Sequence, residues 1–118
     1  MLGLGPDNFR HLSGKFHVFD HPDERMHANS LYFETLADLG MVGLLAFGAL
    51  VAALAGAARR AIAEPASRIL ALGVAAGLAT YLFHGLLDYF LEFTPTYALF
   101  WLLAGMMVAM DRSSETAA

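Results

Sequence analysis

The chain has 118 residues and a formal net charge of −4, and 58% of its residues are hydrophobic while only 15% are charged. Soluble domains average roughly 45–50% apolar and about 25% charged residues, so this composition argues against an ordinary soluble domain. The absence of cysteine excludes disulfide and thiolate chemistry, and the lack of a basic stripe argues against a nucleic-acid partner.

The N-terminal segment, residues 1–30, is polar and opens with GLGPDNFR at residues 3–10. Two glycines and a proline before Asp-Asn predict a tight turn whose amides can meet an anion, and Arg10 is suited to binding a phosphate. A plain turn with a solvated arginine is the alternative. The segment also holds four histidines, His11, His17, His21 and His27. Their spacings match no compact zinc pattern, so we predict no metal and no cofactor.

The next segment, HANSLYFETLADLGMVG at residues 27–43, leads from polar residues into an apolar run. Apolar residues recur at helical spacing over 31–39, which predicts a short amphipathic helix at the membrane interface, capped by Asn29 or Ser30. The side chains of Asn29 and Ser30 either cap this helix or hydrogen-bond a substrate.

Titratable groups in the same segment are candidates for chemistry. His27 is a candidate general base, because the ordinary pKa of an imidazole lies near neutral pH. Glu34 and Asp38 are four residues apart and share a helix face, so they either position a substrate or serve as polar interface residues.

Three long apolar runs follow, over 40–58, 69–87 and 93–110. They contain no acidic or basic residue other than one histidine. A helix needs roughly 20 apolar residues to cross the hydrocarbon core of a membrane. We therefore predict an all-α membrane protein with three transmembrane helices at about 40–58, 69–88 and 94–110. A soluble helical bundle is the rival, but it requires polar faces that these runs lack.

The outer end of the second predicted span reads HGLLDYFLEF and contains His84, Asp88 and Glu92 at intervals of four. Titratable groups at membrane depth usually face a cavity or a partner. This face either binds substrate through His84 and Asp88 or carries a structural His84–Asp88 pair that joins helices.

The basic residues predict the topology. The loop 58–68 contains Arg59, Arg60 and Arg68, whereas the loop after the second span contains no lysine or arginine. The positive-inside rule places loop 58–68 and the tail 111–118 in the cytoplasm. The N-terminal segment and the loop 88–95 then face outward, which brings both polar clusters to the same side of the membrane.

Three stretches together resemble the C-terminal part of the bacterial O-antigen ligase and polymerase family of membrane proteins: GLGPDNFR, HANSLYFETLADLGMVG and HGLLDYFLEFTPTYALFWLLAGM. The strongest part is a polar residue followed by nine residues, a glycine and, three further on, a small residue. Ser30, Gly40 and Gly43 fill these positions. Many members have a histidine directly before the polar residue, where this chain has Asn29.

The resemblance implies an enzyme of the outer face of the bacterial inner membrane that transfers a glycan from undecaprenyl diphosphate to an acceptor hydroxyl. It implies roles for His27 and Asn29 in catalysis, and for a set of residues in substrate binding: Arg10, Arg25, Ser30, Glu34, His84 and Asp88. Arginines would neutralise the leaving diphosphate without a metal. The partners are then the lipid bilayer, the lipid-linked donor and a glycan or lipid acceptor.

Members of this family have many more helices, so the resemblance also implies that the chain is the C-terminal portion of a larger transferase. In this chain, residues 31–110 would form the ligase-like membrane region. Ligation, polymerisation and protein glycosylation all stay open. The alternative from another class is a small non-catalytic multi-pass membrane subunit that packs with a partner protein.

Overall fold

The computed structural model describes residues 3–5, 8, 30–89 and 93–116 of the chain. Within these residues the protein is all-helical, with three helices and no strand: α1 (Leu31–Ala63), α2 (Arg68–His84) and α3 (Thr94–Thr116). The predicted all-α class is therefore confirmed. The described residues divide into a first unit, from Met1–Phe47 and His84–Phe90, and a second unit, from Gly48–Phe83 and Leu91–Ala118.

Helix α1 contains both the predicted interfacial helix and the first predicted span. Gly40 separates them, because its backbone has φ 68° and ψ −166° and so lies outside the helical region. A positive φ of this kind is readily adopted only by glycine. The amphipathic stretch 31–39 and the apolar stretch after Gly40 are consequently joined at a kink rather than by a loop.

The end of α1 is set by proline and capped by side chains from the following turn. Pro65 lacks an amide hydrogen and disfavours helical backbone in the residue before it. The carbonyls of the last helical turn are then bonded by the turn, since the Ser67 hydroxyl donates to Ala61 O at 2.8 Å and Arg68 Nε donates to Ile62 O at 3.0 Å.

Helix α2 ends earlier than the predicted boundary at residue 88. Its last residue is His84, whose carbonyl accepts from the Leu87 and Asp88 amides at 2.9 and 3.1 Å. Gly85 is a poor continuation for a helix, and its carbonyl is bonded elsewhere in the first unit. Asp88 therefore lies in the turn after α2, not on the helical face that the spacing predicted, and Glu92 lies outside the described residues.

The second unit has a wholly apolar core contributed by all three helices: Leu54, Ala57, Ala61, Ala71, Val74, Leu78, Phe100, Ala104 and Met107. Alanine at many of these positions lets helices approach closely, which is typical of helix packing in membranes. An apolar groove of about 240 Å³ also lies in this unit, lined by Val51, Leu54, Ala55, Ala58, Ala75, Leu78, Ala79, Leu82 and Phe100.

Of the described helices, α1 is the one that is both long and apolar enough to cross a membrane. Its most apolar stretch is largely exposed at the protein surface, unlike the core helix of a soluble protein. Helix α2 is apolar but has only 17 residues. Large apolar side chains such as Ile69, Phe83 and Leu102 are exposed on α2 and α3.

Candidate functional site

Ser30 links the start of α1 to the turn after α2 in the first unit. Its carbonyl accepts the Glu34 amide at 2.9 Å, which makes it the residue that precedes the helix as a cap. Its hydroxyl, however, donates to Gly85 O at 3.3 Å, and the Leu31 amide donates to the same oxygen at 2.8 Å. The predicted cap is thus present in position, but its side chain holds the Gly85 turn instead of bonding a helical amide.

Two carboxylates follow on the same face of α1 and are buried. Glu34 is 1% exposed and Asp38 is 7% exposed, and Ser30 beside them is 4% exposed. Burying a charged group is unfavourable unless hydrogen bonds or opposite charges compensate it. Glu34 and Asp38 therefore face the interior of the first unit.

Residues 3–5, which begin the GLGPDNFR stretch, pack against α1 beside its kink. The Leu4 amide donates to Ala37 O and the Gly5 amide to Asp38 O, both at 2.8 Å. A β-carbon at Gly3 would overlap the backbone carbonyl of Asp38, so a glycine is needed for this close approach. The non-helical backbone of Gly40 interrupts the series of hydrogen bonds along the helix. The Ala37 and Asp38 carbonyls accept from the amides of Leu4 and Gly5 instead.

Three of the amides in the described part of this turn donate within the chain. The Leu4 and Gly5 amides donate to α1, and the Asn8 amide donates to Gly5 O at 3.2 Å. The Asn8 side chain in turn donates to Leu4 O at 3.0 Å. The Leu4 and Gly5 amides therefore attach the segment to the kinked helix, and Asn8 closes the turn.

His84 and Asp88 lie together in the turn after α2. His84 Nε2 is 3.8 Å from Asp88 Oδ2, and the two side chains are 60% and 52% exposed. Asp88 Oδ1 accepts the Tyr89 amide at 2.8 Å. The predicted association of His84 with Asp88 is present, although it comes from a turn and not from helical spacing.

The remaining predicted site residues, Arg10, Arg25, His27 and Asn29, lie outside the described residues. Among the residues that the structure describes, no group of three His, Cys, Asp or Glu side chains is arranged to hold a metal ion. The described part of the candidate site is therefore the first-unit cluster, defined as Ser30, Glu34, Asp38, His84 and Asp88.

The second unit contains an ion pair that the sequence interpretation missed. Arg60 donates through Nε to Asp111 Oδ1 and through a terminal nitrogen to Oδ2, both at 2.7 Å. These hydrogen bonds and the positive charge of Arg60 hold the pKa of Asp111 below its ordinary value, against the opposing effect of burial. The sequence did contain a signal for this pair. Asp111 is a single acid directly after the third predicted span, on the side of the membrane predicted for the arginines.

The first-unit cluster thus combines acceptor groups suited to hydroxyls with an exposed imidazole beside a carboxylate. Comparison with protein-family models, with curated proteins and with solved structures finds no significant match to the chain.

Proposed function

We propose that the chain is the C-terminal part of an O-antigen ligase-like or polymerase-like glycosyltransferase. It transfers a glycan from an undecaprenyl-diphosphate carrier to an acceptor hydroxyl at the outer face of the bacterial inner membrane. The observation that supports this proposal is the burial of Ser30, Glu34 and Asp38 at the start of a helix long enough to cross a membrane. Polar groups beside an apolar helix suit a substrate that is part sugar and part lipid.

The transfer requires groups that orient the acceptor hydroxyl, accept its proton and stabilise the departing diphosphate. Carboxylates such as Glu34 and Asp38 accept hydrogen bonds from sugar hydroxyls, and Ser30 can both donate and accept. The proposal assigns the diphosphate to Arg10 and Arg25, whose guanidinium groups match phosphate oxygens. Ligation, polymerisation and protein glycosylation share this chemistry and differ only in the acceptor.

The resemblance also supports the proposal at the level of backbone. The glycine that follows the polar residue after nine positions is Gly40, and this residue adopts a positive φ of 68°. The kink that results exposes the Ala37 and Asp38 carbonyls to the Leu4 and Gly5 amides. The two glycine-containing stretches that carry the resemblance therefore form one local structure, which gives their spacing a physical reason.

The proposed membrane arrangement has three spans, with loop 58–68 and the C-terminal tail in the cytoplasm. In the second unit the Arg60–Asp111 pair joins the last turns of α1 to the C-terminal part of α3, which supports placing both on one side of the membrane. The many exposed apolar side chains on α2 and α3 suit contact with lipid. Helix α2 spans in this proposal despite its 17 residues, which is at the lower limit of the usual range.

The arrangement is tested by single cysteines, because the chain contains none. A membrane-impermeant maleimide should label Leu86→Cys in intact spheroplasts and Arg59→Cys only after the membrane is opened. Both positions are exposed, so lack of labelling reports the side of the membrane and not burial. Labelling of Arg59→Cys in intact spheroplasts would contradict the orientation.

The transferase activity is tested at the native locus, so that every other segment of the protein is present. Membranes are incubated with a fluorescent oligosaccharide linked to undecaprenyl diphosphate, and glycan that resists mild acid is measured, because mild acid cleaves the anomeric diphosphate but not a glycosidic bond. We expect wild-type membranes to form acid-resistant product and membranes from a deletion strain to form none. Equal product from both strains would reject the function.

The second unit favours one alternative, a non-catalytic subunit that packs with a partner protein. Its apolar groove of about 240 Å³ and its exposed apolar side chains form a surface that a further helix could cover. On this alternative, Ala79→Leu would narrow the groove and disrupt the assembly measured by native gel electrophoresis. Glu34→Gln would then leave both the assembly and glycan transfer unchanged.

A further inference from the structure

The apolar groove of the second unit is a narrow strip between α1 and α2. Every side chain that lines it is apolar, and its volume is about 240 Å³. The lining residues follow one another at intervals of three and four, within residues 51–58 on α1 and 75–82 on α2. This spacing puts them on one face of each helix. With a rise of about 1.5 Å per residue, the groove is about 10 Å long.

The groove faces of both helices lead to the side chain of Arg68. On α2, Arg68 precedes the lining residue Ala75 by seven residues, which is about two helical turns, so it lies on the same face. On α1, Ile62 lies one turn beyond the lining residue Ala58. Ile62 O accepts a hydrogen bond from Arg68 Nε at 3.0 Å. The guanidinium group of Arg68 is therefore held just beyond one end of the groove.

A second arginine borders the groove near the same end. Arg59 is exposed and follows the lining residue Ala55 by four residues. In the part of the chain that the structure describes, neither Arg59 nor Arg68 has a carboxylate within ion-pair distance, whereas Arg60 is paired with Asp111. Arg68 uses two of its five N–H donors on backbone carbonyls, which leaves three for a ligand. This end of the groove is therefore positively charged.

The surface beside these charges is apolar. Ile69, directly after Arg68, is 87% exposed, and Leu70 is 56% exposed. Exposed apolar side chains next to arginine are typical of the boundary between acyl chains and headgroups, where the guanidinium group stays in the polar layer. A partner helix is about 10–12 Å across, which is too wide to enter a groove of this volume, whereas a single hydrocarbon chain is much narrower. The groove thus complements a molecule with a hydrocarbon chain and a negatively charged head.

We propose that this groove binds an anionic phospholipid of the membrane. One acyl chain lies in the groove, and Arg59 and Arg68 bind the phosphate, whose oxygens match the guanidinium geometry. In the proposed membrane arrangement this end faces the cytoplasmic leaflet, so the site is separate from that of the glycan donor. The proposal requires that the chain lies in a membrane but does not depend on glycan transfer, and lipid binding alone decides it.

The headgroup site is tested by competition between two lipids with the same acyl chains. The protein, tagged at the native locus so that every other segment is present, is purified in a nonionic detergent and mixed with equal amounts of dioleoyl phosphatidylglycerol, which is anionic, and dioleoyl phosphatidylcholine, which has no net charge. Lipid retained after gel filtration is measured by mass spectrometry. We expect wild type to prefer phosphatidylglycerol, and Arg59→Gln or Arg68→Gln to lower that preference by about fivefold.

Two variants of Arg59 keep this test independent of folding. The Arg59 side chain makes no hydrogen bond or ion pair in the described part of the chain, so Arg59→Gln removes charge without removing a structural contact. Arg59→Lys keeps the charge and should retain most of the preference. An equal preference in wild type and in both glutamine variants would overturn the headgroup site.

The groove itself is tested by a matched pair of substitutions in α1. Ala55→Leu fills the groove and should lower the retention of both lipids. Ala53→Leu adds the same side chain at an exposed position outside the lining, on about the opposite face of the helix, and should retain lipid as wild type does. Equal retention in these two variants would overturn the groove as the chain site. Absence of bound lipid in wild type, with a larger assembly on native gels that Ala55→Leu disrupts, would replace the lipid by a partner helix.

Discussion

In the first unit the buried side chains at the start of α1 and directly before it include a hydroxyl and two carboxylates, from Ser30, Glu34 and Asp38. The apolar core of the second unit consists of aliphatic, aromatic and methionine side chains. The second unit does bury one acid, Asp111, but both of its oxygens are bonded by Arg60. Its polar contact therefore has a structural explanation. The first unit buries two carboxylates, Glu34 and Asp38, and this difference from the second unit is the observation on which the proposed function rests.

The backbone differs between the units in the same way. In the first unit α1 is kinked at Gly40, and carbonyls near the kink accept amides from the N-terminal turn. Among the described residues of the second unit no glycine has a positive φ, and close helix contact comes from small side chains such as Ala57, Ala61 and Ala71. One unit is shaped by backbone hydrogen bonds and the other by apolar packing.

The largest effect on stability should come from the apolar core of the second unit. Met107 is 0% exposed, so Met107→Ala leaves a cavity and should lower the free energy of unfolding by about 2–5 kcal/mol. Met41→Ala is the matched control, because Met41 is 45% exposed and its truncation should change stability by less than about 0.5 kcal/mol. Detergent-micelle unfolding followed by circular dichroism measures both, and equal losses would show that the assigned core is wrong.

A smaller loss should come from the backbone of the first unit. Gly40→Ala places a β-carbon on a residue with φ 68° and ψ −166°, a conformation that is nearly exclusive to glycine and strained for other residues by about 1–3 kcal/mol. Gly48→Ala in the same helix meets no atom within 4 Å and should raise stability slightly, since alanine favours helix. If both substitutions behaved alike in the same unfolding measurement, the kink at Gly40 would not be a feature of the folded state.

The smallest effect should be the pH dependence of the ion pair in the second unit. Because Arg60 lowers the pKa of Asp111 in the folded state, the pair stabilises the fold above the ordinary carboxyl pKa, and this contribution is lost as the pH falls through the lowered value. We expect part of the acid destabilisation below about pH 4 to disappear in Asp111→Asn. Glu64→Gln is the control, and an unchanged acid transition in Asp111→Asn would contradict the pairing.

Local features of this fold could be predicted from the sequence. Uninterrupted apolar runs indicated the three helices, and the change from an amphipathic to an apolar pattern indicated a boundary at residue 40, where the structure has its kink. The polar residues Ser30 and Glu34 were predicted as site residues, and the structure buries both of them.

Contacts between distant parts of the chain could not be predicted in this way. Gly85 O accepts a hydrogen bond from the Ser30 hydroxyl, 55 residues earlier in the chain, and Arg60 donates to Asp111, 51 residues later. Helical spacing describes neighbours on one helix only, so it placed Asp88 on the α2 face, although α2 ends at His84. It also gave no indication that the Leu4 and Gly5 amides would bond to α1.

The central claim is that the polar burial of the first unit serves glycan transfer, and Glu34 tests it most directly. Glu34→Gln keeps the size of a side chain that is 1% exposed but removes its charge, whereas Glu64→Gln makes the same change in the turn after α1. Initial rates of acid-resistant product formation are compared at equal protein in native-locus membranes. We predict a loss of about 100-fold for Glu34→Gln, as for other oriented polar groups of active sites, and none for Glu64→Gln. Equal rates in the two variants would contradict the claim.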